Sequence, residues 1–172
     1  MVDDIVDPRR VEPPYVLAER PMLEGWLAFH RMTLRLKCEG LAAEALRARP
    51  IATSDMSLHG LVRHMAEVER GWFRRTLLRQ PDLAYIWRTH AGGDADWVPL
   101  DDADFAQDLN AWDRECDASR EAAALFDLDH TGLRHGEPCS LRWVYNHMIE
   151  EYARHNGHAD LIRELLDGTV GW

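Results

Sequence analysis

Apolar residues recur at helical spacing in four stretches of the chain, and no stretch offers a convincing strand alternation. Leu23, Leu27, His30, Leu34, Cys38 and Leu41 follow at steps of four and three, which is one face of a first helix. Pro21 suits its first turn, where a missing N–H is not needed, and Gly40 frays its end. A linker with Pro50, Thr53 and Ser54 leads to Ser57, a candidate N-cap. The second helix places Leu61, Met65, Val68 and Trp72 on one face and stops near Gln80-Pro81. Residues 81–100, with Pro81, Gly92, Gly93 and Pro99, predict a long connection. Asp101 or Asp102 is the expected cap of a third helix, where Phe105, Leu109, Trp112, Cys116, Ser119, Ala123 and Phe126 keep the rhythm. Asp127 to Cys139 reads as a second loop, containing Gly132, Gly136 and Pro138. Ser140 opens a fourth helix that runs to about Asp167 and is stopped by Gly168. The expected fold is all-α, a four-helix bundle in one domain over residues 1–172, with 1–20 as an irregular, proline-containing arm.

Composition narrows the partners. A chain of 172 residues with 46% apolar content suits one domain with a sizeable core. Thirty acidic residues against twenty basic ones give a formal charge of -10, which opposes nucleic acid or an anionic membrane as partner. No run of about 18 apolar residues exists to span a membrane. The opening MVDDIVDPRR lacks the apolar segment of a secretory signal. Cys38, Cys116 and Cys139 lie far apart and form no CxxC pair, as expected of a reduced, cytoplasmic chain. Cys139 has no basic neighbour closer than Arg142 to activate it. Nineteen of the twenty basic residues are Arg, which fits a GC-rich genome better than a ligand requirement.

The fourth helix carries the chemistry. Its expected inward stripe is Val144, Met148, Glu151, His155, His158, Ile162 and Leu165, so three consecutive core positions are ionisable. A buried carboxylate without a partner is costly, and a cation held by Glu151 and His155 removes that cost. The two lie one turn apart on one face and can reach a single ion. His158 is about 10 Å along the axis from Glu151, too far for both to join one compact site. His64, about 70° from the centre of the second helix's apolar face, supplies a third ligand. Two imidazoles and one carboxylate leave open positions for water and substrate, and the set suits zinc, nickel, iron or manganese. The plainer alternative is a hydrogen-bonded core histidine and an ordinary i,i+4 pair. His30 lies on the first helix's inward stripe and is expected to line the same cavity. His147 precedes Glu151 by four residues and is a candidate to hydrogen-bond it. Trp26, Trp72, Trp112 and Trp143 fall on or near helical core faces, with Trp72 and Trp143 also candidate pocket walls; His59 is a core histidine, and His90, His130 and His135 are solvated loop residues. HExxH, P-loop, GxGxxG and paired Glu-x-x-His motifs are all absent from the sequence.

The runs GLVRHMAEVERGWF (Gly60 to Phe73) and NHMIEEYARHNGHADLIRELLDG (Asn146 to Gly168) resemble the two signature helices of the DinB-like superfamily. LAFHRMTLRLKCEGL (Leu27 to Leu41) is similar to a branch of it common in actinobacteria. The resemblance implies an up-down-down-up four-helix bundle, often a homodimer, with a divalent metal held by a triad from the second and last helices. His64 and His155 match two histidines of the usual three-His set; Glu151 stands where the third would be. The similar mycothiol-dependent maleylpyruvate isomerases share that departure. The resemblance further implies a low-molecular-weight thiol such as mycothiol and an electrophile as small-molecule partners, in an S-transferase or isomerase. The Arg-rich composition is in keeping with a mycothiol-making host. Metal-dependent hydrolysis, and a non-catalytic bundle binding a metal or small ligand, are the alternatives.

Overall fold

The computed structural model describes residues 7–87, 97 and 100–170. His90, Gly92, Gly93 and Pro99, assigned above to the long connection, lie outside the described residues. The chain is mostly helical. Helix α1 spans Glu19–Cys38, α2 Ala43–Arg47, α3 Leu58–Glu69, α4 Phe105–Ala124 and α5 Leu141–Asp167. A π-helical segment, Arg70–Leu77, continues α3. Helix α1 packs along α5, while α3 lies against α4 and α5. None of the helices, among the described residues, is long and apolar enough to cross a membrane.

The expected caps hold at two helices and move at a third. The Ser57 hydroxyl accepts from Gly60 N–H at 3.1 Å, and the Ser140 hydroxyl accepts from Trp143 N–H at 3.2 Å, each satisfying a first-turn donor. Asp104, rather than Asp101 or Asp102, caps α4 by accepting from the N–H groups of Ala106 and Gln107. Helix α1 stops at Cys38, short of Leu41, and Gly40 takes a left-handed φ of 78° just beyond it. The stretch read as a linker before Ser57 contains the short α2.

The segment expected to be a loop, Asp127 to Cys139, instead forms an antiparallel hairpin of β1 (Thr131–Arg134) and β2 (Glu137–Ser140). The fold is therefore mostly helical, with one small two-stranded sheet beside the helices. His135 and Gly136 both have positive φ, 51° and 86°, as a two-residue hairpin turn requires. The strands carry no alternation because each buries one small residue, Gly132 or Cys139. A Cβ at Gly132 would stand 2.2 Å from the Thr76 carbonyl oxygen and 2.7 Å from Leu77 Cα, so β1 lies directly on the π-helical backbone.

The inward stripe of α5 also differs from the expected one. Its buried residues are Leu141, Val144, Tyr145, Met148, Tyr152, Asn156, Ala159 and Ile162. Glu151, His155 and His158 sit on the flank, half-buried, and Leu165 is exposed. Two tyrosines took the core because their hydroxyls find partners there: Tyr152 donates to Glu69 at 2.7 Å and Tyr145 to Glu24 at 3.1 Å. Trp143, expected on the core face, is 49% exposed, whereas Trp112 is fully buried with its Nε1–H on the Tyr152 hydroxyl at 2.8 Å.

Candidate metal centre

Helix α3 is buried on nearly every side, and His64 stands at its half-buried margin facing α5. Glu151 and His155 meet it from α5, one turn apart. One nitrogen each of His64 and His155 and one oxygen of Glu151 lie within 4.8 Å of one another, a spacing at which all three can ligate one ion. His155 Nε2 is 3.5 Å from Glu151 Oε2, and the His64 and His155 ring centroids are 4.7 Å apart. On the flank the three side chains stay half-buried, whereas the core positions of α5 are closed to solvent. The hydrogen bond with His155, and next to it the charges of His147 and His155, hold the Glu151 carboxyl below its ordinary range against the opposing effect of burial. An ionised carboxylate and two imidazoles are the donor types that divalent first-row ions take.

Around these three the structure arranges the other expected residues unequally. His147 Nε2 lies 3.2 Å from Glu151 Oε1, the position expected of a group orienting that carboxylate. Its ring stacks on Trp143 at 4.9 Å and meets Trp72 edge-on at 4.5 Å. With Glu150, His147 and Glu151 make a second set of close donors on the exposed side. His158 Nδ1 is 3.3 Å from His155 Nδ1, so it touches a candidate ligand and not Glu151. Burial, and then the His155 and Arg154 charges, lower the His158 pKa. His30 faces the seam between α1 and α5, where the Asn156 amide donates to its carbonyl at 3.0 Å and lies 3.4 Å from its Nδ1. His59 is fully buried, with Nε2 2.7 Å from Asp108. His130 stacks on Phe126, and His135 is exposed in the hairpin turn.

Several neighbours had no legible signal in the sequence. Trp97, from the non-periodic stretch, stacks on His64 with centroids 5.0 Å apart and planes 22° from parallel. A cavity of about 220 Å³ opens beside Glu151 and His147, walled by Trp72 and Tyr85 and edged by Arg75 and Arg134. Trp143 flanks Trp72 at 5.1 Å rather than lining that cavity. Arg134 arrives from the hairpin and lies over the Trp72 ring at 4.5 Å. Glu67, buried on α3, accepts from the backbone N–H of Ile86 at 2.6 Å and of Trp87 at 3.3 Å, fixing the chain that edges the cavity. Arg75 holds the same stretch through the carbonyls of Leu83 and Ala84 at 2.9 and 3.1 Å. All three cysteines are free and buried, and burial raises the Cys139 pKa, which leaves it a poor nucleophile.

Deeper in, Arg31 and Glu69 form a bidentate pair with both contacts at 2.7 Å. Tyr152 donates to the same carboxylate, and the Cys116 thiol approaches it at 3.7 Å. The network ties α1, the end of α3, α4 and α5 together next to the helix turn that carries Glu151.

Neither the curated proteins nor the solved structures contain a match to this chain. The family model described as Mycothiol-S-transferase matches residues 22–168, which takes in all but the first three residues of α1 together with α3, α4, the hairpin and α5, and so the chain belongs to the mycothiol-S-transferase family, a DinB-like family.

Proposed function

We propose that the protein is a metal-dependent S-transferase that joins mycothiol, or a similar low-molecular-weight thiol, to an electrophile. The observation that carries this reading is the convergence of His64, Glu151 and His155 from two helices within 4.8 Å, in a chain matched by the mycothiol-S-transferase family. These three residues would hold a divalent ion, zinc or nickel before iron or manganese. Such an ion lowers the pKa of a coordinating thiol and so supplies nucleophile at neutral pH. His147 holds the Glu151 carboxylate in place, and Trp97 packs the outer face of His64. The cavity beside Glu151 would seat the reactants, with Trp72 and Tyr85 excluding water from one side. We read the four long helices as an up-down-down-up bundle, the chain as a homodimer, and its location as the cytoplasm, where small thiols are kept reduced.

The test pairs metal analysis with turnover. Protein purified without a histidine tag should contain about one divalent ion per chain and should consume mycothiol with a fluorogenic alkylating electrophile. His64→Ala and His155→Ala should lose both properties, because one of three protein ligands is gone. Variants that retain full metal occupancy would sink the ligand assignment. Metal-loaded wild type that hydrolyses esters but leaves the thiol unconsumed would point instead to a hydrolase.

A further inference from the structure

A second cavity, of about 310 Å³, lies between α1, the π-helical segment, α4 and α5 and shares no lining residue with the candidate metal set. Leu27 and Ala28 of α1, Phe73, and Tyr145 of α5 form the apolar and aromatic part of its wall, and Glu24, Arg31, Ser119 and Arg120 the polar part. Its volume reaches the lower end of the range for small-ligand pockets. Among the described residues, one buried polar group in its lining has nothing to bond. Ser119 is 0% exposed, and its hydroxyl makes no hydrogen bond. Arg31 engages Glu69 through Nε and Nη2, and no described residue accepts from its Nη1. An unmade hydrogen bond at a buried hydroxyl is costly, so a fully enclosed native core rarely retains one.

The charges at this cavity are already matched. Arg31 pairs with Glu69, Glu24 pairs with Arg20 at 2.8 Å and also accepts from the Tyr145 hydroxyl, and Arg120 pairs with Asp117 at 2.5 Å. A charged ligand would therefore bring in an uncompensated charge, which is expensive in a half-enclosed apolar space. The hydrogen bonding still open at this lining is of the donor kind: Arg31 Nη1, which can only donate, and the Ser119 hydroxyl. We propose that this cavity is a second small-molecule site, for an uncharged, largely apolar ligand that presents a carbonyl-type acceptor to Arg31 and Ser119. The apolar body of such a ligand packs against Leu27, Ala28 and Phe73, and its oxygen takes the inner end.

Three probes of similar size separate the alternatives: acetophenone carries the acceptor, ethylbenzene lacks it, and benzoate adds a charge. Each is titrated into the full-length protein as purified and followed by amide chemical shifts. Acetophenone should shift the resonances around Leu27 to Arg31, Ser119 and Tyr145, and should bind several-fold more tightly than either other probe. Ser119→Ala removes only an unbonded hydroxyl, so the chain still folds. It should weaken acetophenone by about fivefold, the worth of one neutral hydrogen bond, and leave ethylbenzene unchanged. Ala28→Leu, at an exposed and helix-tolerant position, should narrow the cavity and abolish the shifts. Equal affinity for ethylbenzene, tighter binding of benzoate, indifference to Ser119→Ala, or shifts confined to the His64 region would each overturn the proposal. None of these readings depends on metal or turnover, so the site stands or falls apart from the transferase reading.

Discussion

At the scale of single residues, the buried carboxylate of Glu69 joins three helices through its partners. Glu69 is 0% exposed and receives Arg31 and the Tyr152 hydroxyl. Glu69→Gln leaves the Arg31 guanidinium buried with half of its partner, and should destabilise the fold by roughly 3–5 kcal/mol in denaturant titrations. His30 gives a pH signature. Burial, then the nearby Arg10 charge, lowers its pKa from the ordinary 6.5, and Asn156 supplies a donor that suits the neutral ring. The unfolded chain therefore binds the proton more readily than the native one. Stability is full above about pH 6.5 and declines as the pH falls below it. His30→Gln should flatten that decline, measured as the thermal midpoint between about pH 7 and 5. An unchanged slope would place the titration elsewhere.

At the scale of elements, the hairpin and the π-helical segment form one unit. The π-helical stretch buries Trp72, Phe73, Thr76 and Leu77, and β1 rests on its backbone at Gly132. Gly132→Ala should cost about 1–3 kcal/mol or more, because the neighbour it meets is main chain and cannot rotate away. Gly136→Ala, where nothing lies within 4 Å of the added atom, should cost only the strain of its positive φ, about 1 kcal/mol. Comparing the two in one unfolding experiment isolates the close approach. Gly132→Ala should also move Arg134 and Trp72, and with them the cavity beside Glu151, whereas Gly136→Ala should not. The periodicity of the sequence showed where the four long helices run within a few residues. It missed the hairpin, because TGLR and EPCS present no alternating apolar face and their pairing depends on a turn at His135-Gly136.

For the molecule as a whole, metal and stability should be linked. An ion bound by the native chain and not by the unfolded one raises the thermal midpoint, so a chelator should lower it and zinc or nickel restore it. Metal occupancy should fall between about pH 7.5 and 5, because a ligating imidazole has to be neutral. Glu151→Leu should lose the metal yet melt close to the metal-free wild type, since Glu151 sits on the flank of α5 and not among its core residues. A variant that unfolds well below the metal-free protein would mean that Glu151 holds the helices together directly.

The sequence by itself determined the four long helices, two of their N-caps and the glycine stop at Gly168, because capping and periodicity are local properties of a chain. It also singled out His64, Glu151 and His155, since an ionisable residue at helical spacing among apolar ones is conspicuous without knowledge of its neighbours. Only the tertiary structure decided that the α5 stripe turns by one position, admitting Tyr152 to the core and leaving Glu151 and His155 on an accessible flank. That turn depends on partners from other helices, Glu69 and Trp112, whose proximity to Tyr152 no spacing within α5 records. The same holds for Trp97 on His64, Arg134 over Trp72 and the unbonded Ser119 hydroxyl. Each is a contact between distant parts of the chain, and packing, not local pattern, brings those parts together.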